Sequence, residues 1–363
     1  MFNIKPHIVT DRIGVESINK FPIGNEILIL TSKSVYANYG LYEIFQSLKK
    51  KSKLYIFDHI SPDAPFDDLD LVINNLKGIH LETIIAIGGG STIDAAKALS
   101  IAFGSESYKD IFYGKVKLPT IKVPVLAIPT TAGTGAELSY GAIIYDKANR
   151  KKGGIRGEII QPDYVLIDAR LHNGCPPKLK AEVGFDCLTH AIETYISKKS
   201  SPIIKMQSIN CIRTIFQHLV PAFRQSTLED MEKVAIASSL MGVNLALSST
   251  CLPHRIQYVI GPRTGTSHAQ GLIAIYKGWL KHMMAENVLE LSNLSRDLGF
   301  STNEFIDEVE NLRIKLGLNY GVTELGISED DIEEVAMAVT GNVEADPSYK
   351  DLNSIINILK LSL

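Results

Sequence analysis

The chain has 363 residues, of which 45% are hydrophobic and 21% are charged, with a formal net charge of -3. These values are ordinary for a globular protein long enough for two domains, and they lack the basic excess typical of nucleic-acid binding. The first residues, MFNIKPHIVTDR, show no apolar signal segment, and no run of about 18 apolar residues predicts a membrane span. The chain has four cysteines and no C-x-x-C pair. Together with the missing signal segment, this leads us to expect a cytoplasmic protein with reduced thiols.

Strand-like and helix-like segments alternate through the first half of the chain. Short apolar runs predict strands at 26–31, 53–57, 83–87, 123–128 and 164–167, with helical patterns at 35–50 and 67–77 between the first of them. This alternation predicts a Rossmann-like parallel sheet with helices on both faces. Long helical patterns then take over at 178–197, 202–224, 228–247 and 271–298. The sequence therefore predicts an α/β domain over 1–177 and an all-α domain over 178–363, divided near Pro176-Pro177.

A glycine-rich turn follows the strand at 83–87. The segment GGGSTID, residues 88–94, joins that strand to a helix whose N-terminus can face a phosphate, and Ser91 or Thr92 can cap it. A plain tight turn explains the glycines equally well, because the segment is neither a G-x-G-x-x-G fingerprint nor a P-loop. A second loop, PTTAGTGAE at 129–137, follows the next strand. Two such loops at the carboxyl ends of strands favour a dinucleotide site.

Two pairs of residues in the helical half suit a metal ion. Asp186 and His190 are four residues apart, so a helix would place both on one face. His254 and His268 lie fourteen residues apart across a Gly/Pro/Thr segment that could bring two helices together. One carboxylate and three imidazoles suit Fe²⁺ or Zn²⁺ with positions left for a substrate oxygen. An Asp–His hydrogen bond between helices is the alternative explanation for the first pair.

Taken together, these motifs resemble the iron-containing alcohol dehydrogenase family, which belongs to the dehydroquinate-synthase-like superfamily. The resemblance implies that fold, a metal-dependent NAD(P)-linked dehydrogenase, and Asp186, His190, His254 and His268 as metal ligands, with His268 also at the catalytic centre. It also implies a set of cofactor-binding residues: Gly88, Gly89, Gly90, Ser91, Thr92, Asp94, Thr130, Thr131, Thr134 and Lys152.

Two positions depart from the pattern common in that family. Tyr258 stands four residues after His254, where many members have a further histidine beside the substrate, so we expect Tyr258 at the catalytic centre. A tyrosine is a poor base near neutral pH, and the route of the proton is therefore open. Ser32 stands where many NAD-specific members have an aspartate, with Lys33 next to it. This exchange favours NADP(H) over NAD(H), unless both residues only begin a helix.

Two arginines that follow His254 in the sequence indicate what kind of substrate the enzyme could bind. Arg255 and Arg263 could bind an anionic aldehyde, such as the phosphonoacetaldehyde that one branch of the family reduces. Salt bridges to Glu137 or Glu193 are the alternative. Other open functions are a dehydroquinate-synthase-type lyase, oxidation of an acidic sugar alcohol, and a non-catalytic nucleotide or metal sensor. The resemblance also implies a homodimer.

Overall fold

The computed structural model describes residues 5–38, 41–104, 107–225 and 227–363. The chain divides into two compact units, one ending at Pro176 and the other beginning at Pro177. The first unit is a parallel sheet covered by helices, and the second contains only helices among its described residues. The predicted fold class is thus confirmed.

The first unit is built on a six-stranded sheet. Its strands are β1 (His7–Thr10), β2 (Glu26–Leu30), β3 (Lys53–Phe57), β4 (Thr83–Gly88), β5 (Val125–Pro129) and β8 (Tyr164–Ile167). All pair in parallel, in the order β1-β8-β5-β4-β2-β3. A separate antiparallel hairpin consists of β6 (Gly141–Asp146) and β7 (Lys151–Arg156). Neither β1 nor this hairpin was predicted from the sequence.

Helices cover both faces of this sheet. They are α1 (Val15–Ile18), α2 (Lys33–Asn38), α3 (Leu41–Lys49), α4 (Phe66–Asn75), α5 (Gly90–Gly104) and α6 (Tyr108–Phe112). On β2, Leu28 and Leu30 pack in a core with α4 and α5, whereas Ile27 and Ile29 pack in the opposite core with α3. Burial on both faces explains why the strands read as continuous apolar runs. The predicted helix at 35–50 corresponds to α2 and α3, and residues 39–40 lie outside the described residues.

The strand order fixes where a ligand can approach the sheet. The chain leaves β2 toward β3 on one side, and it continues from β4 toward β5 on the other side. The order therefore reverses between β2 and β4. A crevice opens at such a switch point, beyond the carboxyl ends of the two strands. Residues 31–33 follow β2 there, and Gly89 and Gly90 follow β4.

The second unit surrounds a long buried helix. Its helices are α7 (Pro177–Ile196), α8 (Pro202–Arg224), α9 (Leu228–Leu247), α10 (Leu252–Thr264), α11 (His268–Ala285), α12 (Leu289–Leu298), α13 (Thr302–Lys315), α14 (Ile332–Ala338) and α15 (Leu352–Lys360). Helix α7 packs against α8, α9 and α11, so its last four turns are almost wholly buried. The continuous helix predicted at 271–298 was wrong: α11 and α12 are separated at Asn287, which has a φ of 52°.

One finding concerns membrane spans. Within the described ranges, no single helix is both long and apolar enough to cross a membrane. Helices α9 and α10 meet the length and composition criteria only as a pair, and that pair is bent by 101°.

Candidate active site

Helix α7 supplies two of the predicted metal ligands. Asp186 and His190 lie one turn apart on α7, and both side chains are buried. Oδ1 of Asp186 lies 3.7 Å from Nε2 of His190. The hydroxyl of Thr189 donates to the same carboxylate oxygen at 3.2 Å. Because this segment is helical, the four-residue spacing does place both groups on one face.

Helices α10 and α11 supply the other two. His254 lies in the first turn of α10, and His268 is the first residue of α11. Ser267 precedes His268 as the N-cap and forms a capping box with Gln270, which fixes where α11 begins. The rings of His254 and His268 have centroids 5.3 Å apart, and those of His190 and His254 are stacked at 4.7 Å.

The four side chains converge on one point. One ligand atom from each of Asp186, His190, His254 and His268 lies within 4.8 Å of all the others. Oδ1 of Asp186 lies 3.7 Å from Nε2 of His190 and 3.8 Å from Nε2 of His254, which is too far for hydrogen bonds. Donors bound at about 2.0–2.2 Å to one ion stand roughly 3–4 Å apart, so these two separations lie in the range that a shared ion requires. The donor set therefore fits Fe²⁺ or Zn²⁺.

Hydrogen bonds orient two of the imidazoles toward that point. Nδ1 of His254 lies 2.8 Å and 2.9 Å from the two carboxylate oxygens of Glu193. Nδ1 of His268 lies 2.5 Å from Oε1 of Gln257. An amide oxygen and an ionised carboxylate only accept, so with Glu193 ionised each Nδ1 carries the proton and each Nε2 presents its lone pair. Hydrogen bonds of this kind, from the nitrogen that does not bind the metal, fix the orientation of a metal-binding histidine ring and raise its basicity.

Glu193 has a second role at the start of α10. Its Oε2 accepts the backbone N–H of Cys251, the N-cap residue, at 2.7 Å. Burial raises the pKa of Glu193 well above its usual range, and the Cys251 N–H opposes that shift. The proposed salt bridge from an arginine to Glu193 is not found among the described ion pairs. Sequence analysis could have assigned Glu193 to this site, because it lies three residues after His190 on the same helix face.

In the first unit, the two glycine-rich loops interlock. The N–H of Thr130 donates to the carbonyl of Gly88 at 2.9 Å. A Cβ at Gly89 would lie 3.2 Å from the side chain of Thr131, and one at Gly90 would lie 2.9 Å from that of Thr134. The glycines are therefore needed for close contact between the loops. This contact brings the predicted residues of both segments together beyond the ends of β4 and β5.

Ser91 and Thr92 do not cap α5, contrary to expectation. The helix begins at Gly90, so both residues lie inside its first turn. Oγ of Ser91 instead accepts the backbone N–H of Asp63 at 3.0 Å. The carboxylate of Asp63 pairs in turn with Nζ of Lys152 at 2.6 Å. Lys152, from β7, is thus connected to the start of α5 through Asp63.

Asp94 faces Lys97 within the first unit. The carboxylate lies 3.5 Å from Nζ of Lys97, and burial raises the pKa of Asp94 to about 6. Lys97 is fully buried, which lowers its pKa to about 8. Its ammonium donates to the carbonyl of Ala136 at 2.6 Å, to Oγ of Ser139 at 3.0 Å, and to the carbonyl of Gly141. Asp94 is thereby connected to the second loop through Lys97, a residue that the sequence analysis missed.

Comparison with known proteins agrees with both halves of this description. Residues 11–169 match the family "Iron-containing alcohol dehydrogenase", and residues 180–363 match "Fe-containing alcohol dehydrogenase family, C-terminal". The chain belongs to the iron-containing alcohol dehydrogenase family. It is therefore an oxidoreductase that acts on CH–OH groups of small alcohols or on the matching aldehydes, with a divalent metal and a nicotinamide cofactor. This assignment excludes the lyase and the non-catalytic sensor.

Individual relatives of this dehydrogenase are distant. The NAD-dependent methanol dehydrogenase of Bacillus methanolicus is 26% identical and aligns over 100% of this chain and 99% of its own. The lactaldehyde reductase of Escherichia coli strain K12 is 28% identical, over 84% of this chain and 82% of its own. An iron-containing alcohol dehydrogenase structure from Thermococcus thioreducens superposes with a TM-score of 0.90 at 23% identity, covering 100% of this chain and 99% of that one. The last likeness establishes the fold alone.

Three further predicted residues of the dehydrogenase lie on α10. The ring of Tyr258 lies 6.0 Å from that of His268, so it borders the metal ligands. The guanidinium of Arg255 lies 5.0 Å from the centre of the Tyr258 ring, and its Nη2 donates to Oγ1 of Thr250 at 2.5 Å. Arg263 is engaged elsewhere, in ion pairs of 2.8 Å with Asp331 and 2.6 Å with Glu334. Arg263 therefore forms salt bridges, as the alternative explanation held, but with Asp331 and Glu334 and not with Glu137 or Glu193.

Ser32 begins a helix, as the alternative explanation held. Its Oγ accepts the backbone N–H of Val35 at 3.3 Å in the first turn of α2. The side chain of the adjacent Lys33 is exposed. Both residues follow β2 at the switch point of the sheet, so capping the helix leaves their position suitable for the ribose end of a dinucleotide.

Proposed function

We propose that this dehydrogenase uses NADP(H) to interconvert a small anionic aldehyde and its alcohol at a metal ion held by Asp186, His190, His254 and His268. The observation that carries the metal site is the convergence of these four donors within 4.8 Å. The Nδ1 hydrogen bonds of His254 and His268 support it, because they direct both Nε2 atoms to the same point.

The bound metal would act as a Lewis acid on the carbonyl oxygen of the substrate. A bound nicotinamide would supply the hydride for reduction of the carbonyl carbon, or accept it in the reverse direction. Tyr258 borders this site through its contact with His268 and would shape the substrate pocket or donate a hydrogen bond. His268 contributes both as a ligand and as a wall of that pocket.

The cofactor would use the two interlocked loops of the first unit. The backbone of Gly88, Gly89 and Gly90 and the first turn of α5, with Ser91 and Thr92, offers N–H groups to the pyrophosphate. Thr130, Thr131 and Thr134 would line the nicotinamide side, and Lys152 would add a cation that is linked to Ser91 through Asp63. Asp94 would act indirectly, by holding Lys97 under the second loop.

The preference for NADP(H) rests on the residues after β2. Ser32 stands where many NAD-specific members have an aspartate, whose carboxylate would repel a 2′-phosphate. The exposed Lys33 next to it adds a cation that would attract one. The relative from Bacillus methanolicus is named as NAD-dependent. The proposed preference for NADP(H) thus rests on the charge at Ser32 and Lys33 alone, and not on the relatives.

The preference for an anionic substrate rests on Arg255. Its buried Nε has no hydrogen-bond partner among the described residues. A buried donor on a charged group is costly to leave unpaired, so an anionic ligand would stabilise it. A phosphonate or carboxylate on the aldehyde, as in phosphonoacetaldehyde, carries the negative charge that a guanidinium binds. Methanol and lactaldehyde, the substrates in the names of two relatives, are uncharged, so Arg255 alone supports this part. Arg263 no longer does.

We also propose a cytoplasmic location and a homodimer. The location is proposed because the four cysteines include no C-x-x-C pair and all are buried, as is common for free thiols. Cell fractionation would test the location. Light scattering on the purified protein would test the dimer.

Activity of the metal-loaded protein tests the central proposal. Apoprotein is loaded with Fe²⁺ or Zn²⁺ and mixed with NADPH or NADH and neutral, carboxylated or phosphonate-bearing aldehydes, and cofactor absorbance is followed. We expect metal-dependent oxidation of NADPH that His268→Ala abolishes. His218→Ala is a matched control, because His218 pairs with Asp230 and is not one of the four converging ligands. Bound metal and nucleotide without turnover of any aldehyde would contradict the proposal.

A further inference from the structure

Asp346 is a buried carboxylate that no predicted role uses. Its side chain is fully buried and has no cationic partner among the described ion pairs. Four donors satisfy it instead. Oδ2 accepts the backbone N–H of Leu252 at 3.0 Å and Nε1–H of Trp279 at 2.8 Å, while Oδ1 accepts the N–H and the hydroxyl of Ser348. A buried carboxylate needs such complete hydrogen bonding.

Two of these donors belong to helices that carry metal ligands. Leu252 is the first residue of α10 and lies two residues before His254. Trp279 is fully buried on α11, the helix that begins at His268. One oxygen atom therefore connects the two helices that supply these histidines. The carboxylate also faces the N-terminus of α10, where the helix dipole favours a negative charge.

The adjacent residue connects the third ligand-bearing helix. The carbonyl of Ala345 accepts the backbone N–H of Lys198 at 2.8 Å, just beyond the end of α7. Helix α7 carries Asp186 and His190. Residues 345 and 346 thus contact α10, α11 and the segment directly after α7, although they lie more than 75 residues beyond His268.

We propose that Asp346 is a positioning residue for the metal centre, which holds the first turn of α10 against α11 so that His254 and His268 keep their separation. Glu193 binds the N–H of Cys251 and the ring of His254, whereas Asp346 binds the next N–H along, that of Leu252. The two carboxylates thus fix successive residues of the same turn. This inference rests on the proposed metal site.

Metal affinity tests the inference without any need for turnover. Metal-free protein is titrated with Zn²⁺ in competition with a chromophoric chelator, and the Co²⁺ form is compared by its visible spectrum. Asp346→Ala should weaken Zn²⁺ binding by about 10–100-fold, the range found for outer partners of metal ligands. Asp346→Asn should fall between this variant and the wild type, because its single amide oxygen, placed where Oδ2 stands now, can still accept from Leu252 and Trp279.

Two further variants separate positioning from general loss of stability. Leu312→Ala creates a cavity on α13, a helix that carries none of the four ligands and none of the donors to Asp346, and should leave Zn²⁺ affinity unchanged. Trp279→Phe removes one donor to Oδ2 and should weaken Zn²⁺ binding and alter the Co²⁺ spectrum even if Asp346→Ala does not fold. Wild-type Zn²⁺ affinity in folded Asp346→Ala, or an unchanged spectrum and affinity in both Trp279→Phe and Asp346→Asn, would overturn the inference. Failure of the metal site itself would look different, since His268→Ala would then bind Zn²⁺ as the wild type does.

Discussion

The carboxylate of Glu193 lies 2.8 Å from Nδ1 of His254, and Glu193 shares α7 with Asp186 and His190. One helix therefore carries two of the proposed metal ligands and the group that orients a third. We predict that Glu193→Ala weakens Zn²⁺ binding by about 10–100-fold, because the His254 ring loses its orienting partner. Glu193→Gln should retain more affinity, since its amide oxygen can still accept the Nδ1 proton. Isothermal titration of the apoprotein measures both, with the exposed Glu229→Ala as control. Equal affinities in Glu193→Ala and the control would exclude the orienting role.

Arg255 should determine selectivity for charge. We predict that Arg255→Ala lowers kcat/KM for a phosphonate-bearing or carboxylated aldehyde by about 10-fold or more, since a charged hydrogen bond contributes about 1.5–3 kcal/mol. The value for a neutral aldehyde of similar length should change by less than about threefold. Arg263→Ala is the matched control, because two carboxylates already bind that guanidinium. Parallel losses for anionic and neutral aldehydes would show that Arg255 acts only in packing.

Ser32 should set the choice of cofactor. We predict that Ser32→Asp lowers kcat/KM for NADPH and raises it for NADH, because a carboxylate repels a 2′-phosphate and accepts hydrogen bonds from ribose hydroxyls. The ratio of the two values should shift by at least about 10-fold, or about 1.4 kcal/mol. Ser32→Asn controls for size, and it should change the ratio much less. A wild type that already prefers NADH would contradict the NADP(H) proposal outright.

Asp94 should leave a signature in the pH dependence of stability. Burial raises its pKa from the usual 3.8 to about 6, so the folded state binds the proton more tightly than the unfolded state. Its stabilising contribution is therefore complete below pH 3.8 and is lost as pH rises through about 6. The free energy of unfolding of the wild type, relative to that of Asp94→Asn, should fall by up to about 3 kcal/mol across this interval. Urea denaturation of metal-free protein at several pH values measures the difference. A constant difference from pH 4 to pH 7 would show that Asp94 carries no such shift.

Hydrophobic periodicity predicted most of the strands and helices, and the strands that it missed lack an apolar pattern for physical reasons. Strands β2, β4 and β5 are buried on both faces, so they appear as apolar runs that any window detects. Strand β7 reads KKGGIR and has almost no apolar pattern, because Gly153 and Gly154 pack their backbones under Phe112 and Ile143. The edge strand β1 is mostly exposed and gives an equally weak signal.

The candidate site was predictable where its residues share one helix or one short loop. Asp186 and His190 follow from the helical repeat, and Glu193 follows from the same repeat once it is continued by one turn. Asp346 could not be found in this way, because its contacts with Leu252 and Trp279 exist only after distant helices have packed. The role of Lys97 could not be predicted for a related reason. The position of a lysine within an apolar helix does not indicate which carbonyl groups it will bind.

The ammonium of Lys97 has one more consequence. It binds the carbonyls of Ala136 and Gly141 and the hydroxyl of Ser139. Contacts from within the first unit therefore order the loop between β5 and β6, and the conformational entropy of that ordering is lost on folding. Nucleotide binding to such a preorganised loop carries a smaller entropic penalty, so association can proceed without a slow rearrangement of this segment.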